Sequence, residues 1–138
     1  MKPSIRTAEH VGEWKLSAHA DTRTEVFALI AGAIAREVGG VRGAHNPWEA
    51  VQVDARDLNA LLVEWANELI GRAEAMRRCY DDVRDIRISK HDGTLTLHAS
   101  VRGRTVADWR SPVKAATYHG IGIARHAGRW RATLLLDV

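Results

Sequence analysis

A single cysteine, Cys79, stands in a chain of 138 residues. It excludes an internal disulfide and a multi-cysteine zinc site, and it fits a reducing, cytoplasmic setting. The opening stretch "MKPSIRTAEH" has no apolar centre, so no signal peptide is expected. No apolar run approaches the roughly 20 residues a membrane span needs. Repeats and low-complexity segments are absent. So are a Gly-x-Gly-x-x-Gly or P-loop signature for nucleotides and a Gly-x-Ser-x-Gly nucleophile turn. None of the 7 histidines falls in a His-x-His or His-x-x-x-His pair. His91 and His126 lie in turns and read as solvated; His98 and His119 lie on strands.

What remains is an ordinary globular composition, 46% hydrophobic and 27% charged. It fits one domain spanning residues 1–138 with a core of its own. The net charge is +3, from 20 cations and 17 anions. That is a mildly basic surface without the dense cationic run of a nucleic-acid-binding tail.

From His10 to Ala18 residues alternate, with Trp14, Leu16 and Ala18 on one face and Val11, Glu13, Lys15 and Ser17 on the other. This predicts a half-buried strand with Glu13 in its middle, pointing away from Trp14. A helix follows through Phe27, Ile30, Ala31, Ile34 and Val38. Thr22 and Glu25 form a capping box at its start, and Gly39-Gly40 is read as its stop. Asp21, although conspicuous in "HAD", belongs to this helix start. Pro47 to Val53 reads as a strand. The second helix carries Leu58, Leu61, Leu62, Trp65 and Leu69 on one stripe, with Asp54 as N-cap and Gly71 as stop. "VRDIRIS" and "LTLHASV" read as strands with a turn at "KHDG", and Gly103-Arg104 reads as a further turn. "VKAATYHGIGIA" and "RWRATLLLDV" form a hairpin across "RHAG". The expected class is α+β: two layers, an antiparallel or mixed β-sheet with two main helices packed on one face.

Among functional candidates, Cys79 lies beside Arg77 and Arg78, which could lower its pKa, or it is a small packing residue. Trp109, in the polar stretch "ADWRSP" between Arg104 and Arg110, could stack on a base or enter a partner protein. Asp137 and the α-carboxylate of Val138 are adjacent. With a third carboxylate from a neighbouring strand they would make an all-oxygen site for a hard divalent cation; otherwise they form a solvated strand end.

Three stretches resemble the archease family. "LLVEWANELI" is similar to its Leu-Leu-x-x-Trp-Leu-Asn-Glu-Leu helix through Leu61, Leu62, Trp65, Asn67, Glu68 and Leu69. "VKAATYH" matches its Val-Lys-Ala-x-Thr-Tyr-His strand at Val113, Lys114, Ala115, Thr117, Tyr118 and His119. The ending Asp137-Val138 matches its Asp-Ile or Asp-Val finish. Counting back from the first helix sets the family's His-Thr-Ala-Asp on His10-Val11-Gly12-Glu13. Glutamate then stands where the family keeps aspartate, one methylene or about 1.5 Å further from the backbone. Val11-Gly12 replaces Thr-Ala, and Asp108 is the acid left in a shortened loop.

The resemblance implies a non-catalytic partner of an RtcB-type RNA ligase, acting in tRNA splicing or RNA repair. Such a partner helps the ligase become guanylylated and turn over. The resemblance also implies a divalent metal, Ca²⁺ or Mg²⁺/Mn²⁺, at Glu13, Asp137 and Val138. Contact with RNA would be indirect. Two other readings compete. One is a diverged module that binds RNA or protein through its basic surface and Trp109 and has lost ligase activation. The other is a hydrolase that uses the acidic cluster and metal itself.

Overall fold

The computed structural model describes residues 2–138. Strands β1 (Ser4–His10) and β2 (Glu13–Ala20) precede helix α1 (Arg23–Ala35). Strands β3 (Gly40–Arg42) and β4 (Glu49–Ala55) lead to helix α2 (Leu58–Met76). Strands β5 (Arg78–His91), β6 (Thr94–Asp108), β7 (Ala115–His126) and β8 (Arg129–Asp137) complete the chain. Every strand pair is antiparallel. One four-stranded sheet runs β1-β2-β8-β7. In the other, β5 lines one flank of the long β6, and β3 and β4 share its opposite flank. The expected α+β class holds, with the strands divided into two sheets that each lay an apolar face against the helices. No helix among the described residues is long and apolar enough to cross a membrane.

Both helices touch strands of both sheets. One core therefore serves the whole chain, with Phe27 and Ile30 of α1, Leu61, Leu62 and Trp65 of α2, Leu16 and Leu134 of the first sheet, and Leu97 and Val101 of the second. Burying each such side chain stabilises by about 1.5–3 kcal/mol relative to exposure. Helix α1 buries Val26, Phe27, Ile30, Ala31, Ala33, Ile34 and Ala35, so it is apolar nearly all round, as a helix enclosed by protein must be.

The helices are fastened by polar contacts that the apolar pattern does not encode. Trp65 donates its indole N–H to the Phe27 carbonyl at 2.9 Å. Asn67 accepts from the Ala116 N–H at 2.7 Å and donates to the Ala116 carbonyl at 3.1 Å. Asn59 accepts from the Ile123 N–H at 2.9 Å. These two α2 amides occupy main-chain groups of β7, the edge strand of its sheet, which would otherwise be left unpaired. Glu49 on β4 accepts from Arg72 (3.2 Å), Arg78 (3.0 Å) and the Tyr80 hydroxyl (2.9 Å), tying β4 to α2 and β5.

The capping box at α1 is present. Thr22 Oγ1 accepts from the Glu25 N–H at 3.2 Å and donates to its carboxylate at 3.0 Å. Asp21 lies outside the helix, 3.6 Å from Arg129.

Several boundaries differ from the sequence reading. The strand expected from His10 to Ala18 is two strands joined at Val11-Gly12, where Gly12 takes φ 78°, so Glu13 opens β2. Asp57, not Asp54, caps α2, accepting from the Ala60 N–H at 2.8 Å. Asp54 lies in β4 and accepts from the Thr96 hydroxyl at 2.7 Å. Helix α2 passes through Gly71 and ends at Arg77 in the left-handed region, φ 53°. Gly103 is inside β6, where a Cβ would lie 2.8 Å from the Cys79 carbonyl oxygen, so glycine there permits close approach of β5. Gly39 likewise serves close packing, since a Cβ would fall 1.5 Å from the Asp108 carbonyl oxygen. The hairpin at "RHAG" turns on Ala127 (φ 52°) and Gly128 (φ 80°), and "KHDG" on Asp92 (φ 49°) and Gly93 (φ 79°). Two successive positive φ values are what a two-residue turn matched to strand twist requires.

Candidate functional site

Strand β2 pairs with β8 so that Glu13 stands directly opposite Asp137. Opposite residues of a ladder share a face. That face looks away from the helices, because Trp14, Leu16 and Ala18 alternate with Glu13, Lys15 and Ser17 and pack inward. His10 of β1 is the next partner on one side of the pair, and Ala115 of β7 on the other. The main chain at this end is pinned from two directions. The Lys114 N–H donates to the Asp137 carbonyl at 2.8 Å, and the Val138 N–H donates to the Gly12 carbonyl at 3.2 Å. Val138 is half-buried against the core.

The structure thus brings Glu13, Asp137 and Val138 to one sheet end. Neither Glu13 nor Asp137 forms an ion pair among the described residues, unlike Glu49, Asp81 and Asp82, which each meet an arginine. Two uncompensated carboxylates on one face attract a cation. The donor set is all oxygen, which suits a hard ion. Among the described residues no group of three His, Cys, Asp or Glu side chains is placed to hold a metal. A cation held by this pair would have two carboxylates and would need main-chain oxygen or solvent for the rest of its shell.

The other candidates lie elsewhere. Asp108 is exposed and accepts from Arg110 at 2.6 Å. Trp109 is not free to stack on a base: it is half-buried against both apolar clusters, and the Arg77 guanidinium lies 5.0 Å over its ring. Trp48 is arginine-stacked as well, with Arg84 at 3.9 Å and Arg102 at 4.5 Å, and it packs against neither apolar cluster. Cys79 is buried and its thiol donates to the Ala35 carbonyl at 3.4 Å. Burial, reinforced by Asp81, pushes it up to about 11, so its neighbouring arginines do not activate it. His45, passed over in the sequence, pairs with Asp81 at 2.7 Å.

The "TYHG" stretch interrupts the β7–β8 ladder between Thr117 and Gly122. Tyr118 is exposed there and donates to Glu64 of α2 at 2.6 Å. That bond to a carboxylate raises the Tyr118 pKa. The strand motif noticed in the sequence is therefore a local bulge held down on α2.

The chain is thus an α+β protein of two antiparallel sheets laid against two helices, with a carboxylate pair at the end of the β2–β8 ladder. The sequence model of the archease protein family matches residues 6–138, and the chain belongs to the archease family. It is 30% identical over 138 residues to protein archease of Thermococcus gammatolerans, covering 94% of this chain and 95% of that protein. It is 29% identical over 136 residues to protein archease of Methanopyrus kandleri, covering 94% and 96%. Its fold matches the solution structure of Methanobacterium thermoautotrophicum protein 1598 with TM-score 0.77 at 22% identity, over 97% of this chain and 98% of that one. The crystal structure of an archease, described as a possible chaperone, from Thermotoga maritima matches with TM-score 0.58 at 14% identity, over 100% and 97%.

Proposed function

We propose that this chain is a non-catalytic accessory protein of an RtcB-type RNA ligase, holding a divalent cation at Glu13, Asp137 and the main chain of Val138. The observation that carries this reading is the β2–β8 register, which sets two unpaired carboxylates side by side at the end of an open sheet face. Membership of the archease family supports the accessory role.

Glu13 and Asp137 would supply side-chain oxygens to Ca²⁺, Mg²⁺ or Mn²⁺, and Val138 a main-chain oxygen. A divalent ion at this site would supply charge neutralisation at phosphate oxygens, which is what nucleotidyl transfer needs. The chain's own part is to fix the carboxylates. The ladder holds their Cβ atoms about 4.5–5.5 Å apart, and the bonds from Lys114 and Val138 keep the strand end from fraying. Glu13, one methylene longer than aspartate, reaches from the first residue of β2, where the Gly12 turn leaves it room.

The test is ligase guanylylation with wild type, Glu13→Gln and Asp137→Asn, each confirmed folded by circular dichroism. Stimulation should fall at least tenfold in both variants. Undiminished stimulation by Asp137→Asn would remove the site from the mechanism.

A further inference from the structure

The open face of the β1-β2-β8-β7 sheet has a second end. Six residues along β2 from Glu13, about 20 Å at strand spacing, lies a cavity of about 440 Å³ lined by Arg6, His19, His126, Arg129 and Arg131, with Ser4 at its rim. The strand order explains the gathering. His19 is opposite Arg131 and Ser4, and His126 is opposite Arg129. Arg6 is two positions along β1 from Ser4 on the same face. These side chains cross four neighbouring strands, roughly 14 Å at 4.7–4.9 Å per strand.

Their charge is little neutralised. Arg72, Arg78, Arg102, Arg104 and Arg110 each meet a carboxylate. Arg6 and Arg131 meet none among the described residues. Arg129 has only Asp21, at 3.6 Å, and its Nη2 donates to the Lys2 carbonyl at 3.2 Å. The Arg129 Nε and Nη1 are buried and have no hydrogen-bond partner among the described residues. Atoms this enclosed are out of a ligand's reach, so the guanidinium groups open to an outside acceptor are those of Arg6 and Arg131, both exposed. Phosphate oxygens fit a guanidinium fork best.

We propose that this cationic end of the sheet is a binding site for the phosphate backbone of a single-stranded nucleic acid. A row of cations this long outspans one phosphate group, which favours a strand over a mononucleotide. No Phe, Tyr or Trp lines the cavity, which favours backbone contact, independent of sequence, over base stacking. This inference stands apart from the carboxylate pair at the other end of the face and from the role in ligase activation.

The experiment is a fluorescence-anisotropy titration of a labelled twelve-nucleotide uridylate RNA, repeated from about 50 to 200 mM salt. The proteins are wild type, the Arg6→Ala/Arg131→Ala double variant, the charge-retaining Arg6→Lys/Arg131→Lys variant, and Trp48→Ala on the other sheet. Both arginines are exposed, so the fold is kept, as thermal melts would verify. Losing two phosphate contacts should weaken binding at least tenfold at low salt and flatten the log–log salt slope by about 1.4. The lysine variant should keep the slope, Trp48→Ala should bind as wild type, and an adenylate strand should bind as tightly as uridylate. Equal affinity and slope for wild type and the double alanine variant would overturn the proposal. So would loss of binding in Trp48→Ala alone.

Discussion

Glu13 and Asp137 face each other across the β2–β8 ladder, and neither forms an ion pair among the described residues. Like charges directly opposite destabilise a ladder by a few tenths to about 1 kcal/mol. The fold therefore carries a small strain that a bound divalent ion would relieve. In metal-free buffer Asp137→Asn and Glu13→Gln should each raise the midpoint of urea unfolding slightly. Adding millimolar Ca²⁺ or Mn²⁺ should stabilise wild type and leave the variants unmoved, because an ion that binds only the folded state shifts stability by mass action. If neither metal moves the wild-type midpoint, the pair is not a cation site.

Two glycines of one region should respond in opposite directions to alanine. Gly39 has no room for a Cβ, because the Asp108 carbonyl oxygen occupies that point. Gly39→Ala must push β6 from the α1–β3 connection and should cost about 1–3 kcal/mol, as overpacking does. Gly32 sits within α1, and a methyl group added there would meet nothing within 4 Å. Gly32→Ala should stabilise by up to about 1 kcal/mol through helix propensity. Equilibrium urea unfolding of both variants reads the signs directly.

The elements with an apolar rhythm were legible in the sequence: β2, both helices and the β7–β8 hairpin. Strand β1 was not, because only Ile5 in Ser4–His10 packs against the core and the strand shows no apolar face. Gly103 and Gly39 misled because their need is close approach to another strand, which no local pattern reports. Asp54 and Asp57 are equally good caps on paper, and the β4–β6 pairing decides between them by drawing Asp54 into a strand. For the site, alternation alone put Glu13 on the polar face. Its place opposite Asp137 depends on strand order, which periodicity could not give; the family resemblance grouped the two residues without it. The cationic cavity was invisible for the same reason: Arg6, His19 and Arg131 meet only once β1, β2 and β8 are neighbours.

Cys79 gives the fold an alkaline limit. Its thiol, ordinarily at 9.0, is pushed up to about 11 by burial, with Asp81 adding to the effect. The unfolded chain therefore loses this proton first, and its stabilising contribution is whole below pH 9 and lost as pH rises through 11. Tyr80 acts in the same direction above pH 10, its hydroxyl driven up to about 12 by burial and by Glu49. Unfolding midpoints should fall steadily from pH 9 upward, and less steeply in Cys79→Ala. At pH 8 a disulfide reagent should label native Cys79 only as fast as the chain opens. Rapid labelling of the folded protein would contradict this.

Trp65 is fully buried, fills the centre of the core and bonds α2 to α1. Its place in "LLVEWANELI" is thus structural. The indole fixes α1 against α2, and Asn67, half a turn on, fixes α2 against β7. Trp65→Phe would keep an aromatic ring but remove the second donor to the Phe27 carbonyl, which lies inside α1 and also accepts the helical bond, and open a small void. Losing one hydrogen bond costs about 0.5–1.5 kcal/mol, and lost volume adds to it, so a total of about 1–3 kcal/mol is expected. Asn67→Ala should cost about 1–3 kcal/mol by exposing the edge of β7, and amide exchange at Ala116 should speed up in it alone. Since Trp65 and Asn67 sit on different contacts, the double variant should show nearly additive losses. A loss under about 1 kcal/mol for Trp65→Phe would mean that packing alone, and not the indole bond, holds the helices together.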